Sequence, residues 1–175
     1  KGDNNTDDTQ AFQQAIDSAM VTGNRVLVPA GNYVISSTLF IKKGVSLVGE
    51  GPGSIPLETP NNGSLLTYTG EDDFAIKIIG SSSGLRDLVL LDNKKDYSKS
   101  GGVQVLGDGD IVESVRLFNV QIVYFMGGAG LELSAKSSGG VSYLTSYNTR
   151  VRHAKTGIHI VEDNIGFSFV CLPTR

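Results

Sequence analysis

Asp108 and Asp110 stand two residues apart in the run Leu106-Gly107-Asp108-Gly109-Asp110. On an extended segment, residues i and i+2 share a face. Two carboxyl groups so placed suit an inverting acid–base pair across a glycosidic bond, which needs a separation of roughly 6.5–9.5 Å. They are the candidate catalytic pair. The same run also fits a solvated turn, because glycine and aspartate are ordinary turn residues.

Four further residues are candidates for holding a substrate. Glu132 and His159 occupy the same slot in Gly130-Leu131-Glu132-Leu133 and Gly157-Ile158-His159-Ile160, and Gln104 fills it in Gly102-Val103-Gln104-Val105. If the segments are adjacent parallel strands, these side chains stack at roughly 5 Å and line a polar groove, or else form a plain solvent face with one favourable charge pair. Arg150 and Arg152 share a face beside His153, and a guanidinium holds a carboxylate in bidentate geometry. The alternative is a structural or general binding surface. Asp3, Asp7 and Asp8 lack the ligand alternation and distal glutamate of a calcium loop, and helix capping accounts for them. No metal and no cofactor is expected. Tyr97, Tyr143 and Tyr147 are ring surfaces for a sugar if exposed, and core or coil-edge residues otherwise.

These residues need a scaffold, and the spacing supplies one. The three Gly-apolar-polar-apolar segments begin 28 and 27 residues apart. A second series sets Leu85, Leu88 and Leu90 against Val112, Val115 and Leu117, and then Val141 and Leu144, with starts 27 and 29 apart. Two interleaved series at one period predict one coil per repeat, with at least two strands in each. A unit this small cannot bury its apolar face alone, whereas stacked units share a continuous core. An antiparallel sandwich is the competing architecture; equal spacing favours the solenoid. Asn93, Asn119 and Asn148 fall near equivalent positions and are expected either to stack as an amide ladder or to serve as separate turn residues.

Ahead of the repeat lies a helix. Thr6 is the predicted N-cap, with Asp7 and Asp8 in the first turn where negative charge meets the helix dipole. Phe12, Ala15, Ile16 and Ala19 form one apolar stripe, and Gly23 is the predicted stop. Short strands follow at Val26–Val28, Tyr33–Ile35, Leu39–Ile41 and Val45–Val48. Polar insertions are expected at Gly51 to Gly63 and Asp92 to Ser100.

The order Gly2-Asp3, Thr6-Asp7-Asp8-Thr9, Ala11-Phe12, Ala15-Ile16, Val28-Pro29-Ala30-Gly31, Tyr33 and Gly49-x-Gly51 resembles the amino-terminal signature of the pectate-lyase-like superfamily. That group includes bacterial and fungal exo-glucanases and bacteriophage tailspike and appendage proteins. Asn4-Asn5 departs from the Gly-Val or similar pair that relatives often carry. The resemblance covers about the first third of the chain. It implies an all-β chain folded as a right-handed parallel β-helix, with residues 1–24 as a capping segment and helix and 25–175 as coils. It also implies recognition and degradation of a surface polysaccharide by a glycoside hydrolase or polysaccharide lyase type of protein, a homotrimer, and a place on a virion tail or outside the cell. A non-catalytic glycan-binding adhesin or structural spike, and a secreted bacterial or fungal glycosidase, are the alternatives. The paired aspartates and Gly-His-Gly of polygalacturonases, and the calcium aspartates of pectate lyases, are not found.

Composition narrows the rest. A net charge of −3 gives no basic footprint for nucleic acid, and no apolar run reaches the ~20 residues of a membrane span. Lys1-Gly2-Asp3 is not expected to open a secretory leader. Cys171 is the one cysteine, so no disulfide within the chain is expected. The abrupt opening and the run Leu172-Pro173-Thr174-Arg175 read as those of a segment from a longer β-helix.

Overall fold

The computed structural model describes residues 1–22, 25–53, 62–71, 73–93, 99–162 and 169–171. Gly23, Tyr97, the closing run Leu172 to Arg175 and the inner parts of both predicted insertions lie outside them. Strand β1 (Asp3–Asp7) and helix α1 (Thr9–Thr22) precede about five coils. The first coil is β2 (Arg25–Val28), β3 (Gly31–Ile35) and β4 (Leu39–Ile41), and the second is β5 (Ser46–Gly49), β6 (Ser64–Tyr68) and β7 (Phe74–Ile78). The third holds β8 (Gly84–Asp92), β9 (Gly101–Asp108) and β10 (Ile111–Glu113), and the fourth β11 (Arg116–Val123), β12 (Ala129–Lys136) and β13 (Gly140–Ser142). The fifth is β14 (Leu144–Tyr147), β15 (Arg150–Arg152) and β16 (Thr156–Glu162), after which β17 (Phe169–Cys171) returns beneath β14.

Every recorded strand pairing is parallel, between strands of successive coils. The fold is therefore a parallel β-solenoid, and the antiparallel alternative is excluded. Three walls result. The first wall runs through β2, β5, the start of β8, the start of β11 and β14. The second runs through β1, β3, β6, the end of β8, the end of β11 and β15. The third is β4, β7, β9, β12 and β16, and β10 with β13 forms a short separate pair.

Side chains alternate across each wall, so one residue in two points inward. Leu47, Leu85 and Leu117 from the first wall meet Leu66, Leu90 and Ile122 from the second and Ile78, Val105 and Leu133 from the third in one buried cluster. Each such side chain contributes about 1.5–3 kcal/mol on leaving water. The glycines that open the repeats have a packing cause. A Cβ at Gly102 would overlap the Ile122 side chain, and one at Gly130 would overlap Val151.

The first repeat series is in true register, since Val103 pairs with Leu131 and Leu131 with Ile158. The second series is not. Val112 does pair with Val141, but Leu85 pairs with Leu117 and Leu88 with Val120. The third coil carries a longer connection before β9, and this shifts the spacing on the first two walls.

Helix α1 closes the end of the stack, burying Phe12, Ile16 and Ala19 in the same cluster as the wall residues. Thr6 is not its N-cap. Residues 3–7 form β1 instead, and the Thr6 amide and hydroxyl both donate to the Asp3 carboxylate at 2.8 Å. The Asp8 carbonyl accepts the first helical bond, from the Phe12 amide at 3.0 Å, so Asp8 caps. Asp7 fastens the helix start to β3: its carboxylate accepts from the Thr9 amide at 3.0 Å, the Thr9 hydroxyl at 2.6 Å and the Ser36 hydroxyl at 2.6 Å.

These bonds hold two carboxyls below their usual range. The Thr6 amide, followed by the Thr6 hydroxyl, lowers Asp3 to about 2. The Ser36 hydroxyl, followed by that of Thr9, lowers Asp7. Depressed carboxylates stabilise the fold fully above their unfolded pKa near 4 and lose that contribution as pH falls through the folded values. The thermal midpoint is therefore expected to fall between about pH 4 and pH 2. Asp7→Asn should fall less over that window, with amide exchange rising first in β1 and the start of α1. Equal falls in both proteins would refute the clasp.

Among the described residues no helix is long and apolar enough to cross a membrane.

Candidate functional site

The corner between the first and second walls is built from three residues in left-handed conformation: Asp87 (φ 53°), Asn119 (φ 55°) and Asn148 (φ 49°). Asparagine and aspartate tolerate that region better than most residues. The Asn148 amide donates to Asn119 Oδ1 at 2.9 Å, and the Asn119 amide donates to Asp87 Oδ1 at 2.7 Å. The expected amide ladder is present, with Asp87 rather than Asn93 at its foot; Asn93 instead follows β8, its backbone amide bonded to the Tyr68 carbonyl. This corner fixes the angle at which successive walls meet, and so the faces available to a ligand.

On the outer face of the third wall, Lys77, Gln104, Glu132 and His159 lie in consecutive register. Gln104 Nε2 donates to Glu132 Oε1 at 2.7 Å, and His159 Nδ1 lies 2.9 Å from Glu132 Oε2. Lys77 is tied to Asp73, with Nζ 2.7 Å from Oδ1. Burial alone would push the Asp73 carboxyl up, but the Lys77 ammonium, with the Phe74 amide, brings it below the usual range. Glu132 is largely shielded while His159 is half exposed. The carboxylate thus sits fixed between an amide below and an imidazole above. With its proton on Nδ1, His159 donates to Glu132 and presents Nε2 as a base, the arrangement general acid–base chemistry needs. Among the described residues, Gln104 Oε1 is buried with no hydrogen-bond partner.

The predicted stacking of Glu132 with His159 is therefore present. Arg150 and Arg152 do share one face, but on the second wall, in register with Gln121 and Val123. Arg152 Nη2 lies 3.5 Å from Gln121 Oε1. They lie on a different wall from the Glu132–His159 row and are not part of it. His153 follows in left-handed conformation and stacks on Tyr124, ring centroids 5.0 Å apart.

Asp108 and Asp110 do not share an extended segment. Strand β9 ends at Asp108, Gly109 takes φ 74°, and Asp110 lies in the bend before β10, both aspartates exposed. The Gly109 amide bonds the Lys136 carbonyl at 3.2 Å, which ties the turn to the next coil. Of the tyrosines, Tyr147 stacks on Phe118 at 4.8 Å and Tyr143 is exposed. Sequence reasoning missed Lys77, although it precedes Gln104 by 27 residues, one period of the repeat.

Residues 1–71 match the family described as Rhamnogalacturonase A/epimerase, pectate lyase-like. Mannuronan C5-epimerase AlgE3 of Azotobacter vinelandii is 37% identical over 105 residues, covering 55% of this chain and 6% of its own length. Alginate lyase 7 of the same organism is 36% identical over 92 residues, covering 48% and 10%. Among solved structures, the A-module of A. vinelandii mannuronan C-5 epimerase AlgE4 superposes with a TM-score of 0.63 at 23% identity, over 95% of this chain and 53% of that one. The tailspike protein gp49 of Acinetobacter baumannii bacteriophage Fri1, a capsular polysaccharide depolymerase, gives 0.53 at 16%, over 82% and 27%. These two establish likeness of fold. The chain spans a tenth or less of the two curated relatives' own length.

Proposed function

We propose that this pectate-lyase-like β-solenoid acts on an acidic polysaccharide laid across the outer face of its third wall, with the Glu132–His159 pair handling a proton. The observation that carries this reading is the hydrogen-bonded row of Gln104, Glu132 and His159. Hydrolysis with two carboxylates requires both across one bond, and Asp108 and Asp110 straddle a turn instead. One carboxylate steering one imidazole suits abstraction of a proton. In a uronate sugar, the C5 hydrogen is acidified by the adjacent carboxyl group. Removing it leaves an electron pair that either expels the C4 oxygen, giving elimination, or accepts a proton on the other face, giving epimerisation. Relatives named for mannuronan epimerisation and alginate cleavage fit that substrate class. In this reading Arg150 and Arg152, on the neighbouring wall, hold carboxylates of the same polymer chain.

The test is to incubate the protein with alginate, polygalacturonate, a bacterial capsular polysaccharide and a neutral glucan. Unsaturated products, or a changed C5 configuration by NMR, are expected from an acidic polymer. New reducing ends without unsaturation would assign hydrolysis and return Asp108 and Asp110 to the catalytic role. Binding without any product would select the second reading, a non-catalytic glycan-binding spike, which the turn between Asp108 and Asp110 favours. Homotrimer assembly and an appendage or extracellular location extend the same reading, and sedimentation of the protein tests the first of them.

A further inference from the structure

The first wall has an outward face of its own, distinct from that of the third. Its outward positions form two rows along the stack: Arg25, Ser46, Gly84, Arg116 and Thr145, and beside them Leu27, Val48, Arg86, Phe118 and Tyr147. Gly84 has no side chain, and none is tolerated there, because a Cβ would overlap the Arg116 carbonyl oxygen. A groove of about 190 Å³ lies along these two rows. Arg25, Arg86 and Arg116 line it, and among the described residues no carboxylate does.

The arginines differ in a useful way. Arg86 is held in place: its Nε donates to Asp87 Oδ2 at 2.8 Å, and its guanidinium lies over the Phe118 ring, 5.0 Å from the centroid. Tyr147 stacks on the other side of Phe118, so the cation and the two rings form one rigid column along the wall. The Arg116 guanidinium has no hydrogen bond or ion pair to another described residue. It is a cation on a fixed strand beside the groove, and that arrangement favours a carboxylate.

We infer that this groove binds a carboxylated sugar unit of an acidic polysaccharide, separately from the third wall. Ser46 and Thr145 supply hydroxyl groups in the arginine row, and Val48 with the ring column supplies an apolar flank for the sugar's C–H face. The volume lies below the roughly 300–1,000 Å³ of clefts that enclose a whole small ligand. One unit enters while its neighbours run along the wall, whose rungs repeat every 4.7–4.9 Å or so. The site needs no chemistry at Glu132 or His159, so it stands whether or not the third wall is catalytic.

The test uses tetragalacturonate, neutral cellotetraose and inorganic phosphate as probes on the full chain, with amide chemical shifts and calorimetry as readouts. Tetragalacturonate is expected to shift the Gly84, Arg116 and Thr145 amides, with affinity falling as salt rises. Arg116→Gln should weaken this binding about tenfold or more, as loss of a charge-assisted bond does. Phe118→Ala, checked for folding by circular dichroism, should weaken it as well by releasing Arg86. Glu132→Gln should leave the first-wall shifts unchanged. Shifts confined to the third wall, phosphate binding as tightly as the tetramer, or cellotetraose binding equally would each overturn the inference.

Discussion

Replacing His159 with alanine is expected to lower kcat/KM on the acidic polysaccharide by about 10²–10⁴-fold, the usual share of a positioned acid–base group. The effect should fall mainly on kcat, because the proposed role of His159 is at the proton being moved rather than along the length of the substrate. Glu132→Gln provides the companion measurement. The amide keeps the size of the side chain but removes the charge that orients the imidazole, so kcat should fall while KM changes little. Steady-state kinetics by product absorbance decide the matter. A kcat within twofold of the parent for both variants would remove the proton-handling role and leave this wall as a binding surface. Folding is a small concern, since His159 is half exposed and exposed substitutions usually shift stability by under ~0.5 kcal/mol.

Asn119→Val is expected to destabilise the protein by about 2–5 kcal/mol. A left-handed conformation costs a residue with a full Cβ about 1–2 kcal/mol, and a β-branched side chain is worse placed there. Both rungs of the ladder also vanish, at about 0.5–1.5 kcal/mol each. Asn119→Gly separates the two contributions, because glycine accepts the backbone angle and loses only the amide bonds. Urea denaturation of the three proteins should therefore rank them parent, glycine, valine. A valine variant as stable as the glycine variant would mean that the corner relaxes out of the left-handed region.

Much of the fold was legible in the sequence because a solenoid writes its period into the chain. The glycines at 102, 130 and 157 mark equivalent positions, and the slot two residues on gave the Gln104–Glu132–His159 row directly. Errors came where local chemistry had two outlets. Thr6 followed by two aspartates resembles a helix start, yet Thr6 bonds Asp3, Asp7 ends a strand paired with β3, and Asp8 is the cap. Gly-Asp-Gly-Asp can be extended or turned, and tying the Gly109 amide to the next coil selects the turn. Asp87 was missed as the foot of the ladder because its 32-residue distance from Asn119 exceeds the period read elsewhere. The arginine face was missed for the same reason: Arg25, Arg86 and Arg116 become neighbours only once the first wall's register is known.

The corner between the first and second walls spends a single residue in the third and fourth coils, at Asp87 and Asn119. In the second coil, the same corner spans everything from the end of β5 at Gly49 to the start of β6 at Ser64. Pairing resumes undisturbed on both sides, with Gly49 still opposite Val28 and Ser64 opposite Gly31. The scaffold therefore treats this seam as a socket: foreign peptide spliced there changes what the surface displays without renumbering the rungs beneath it. Epitopes or affinity handles grafted at that seam should leave the melting profile nearly intact, whereas the same insert at Asn119 would pull the amide column apart.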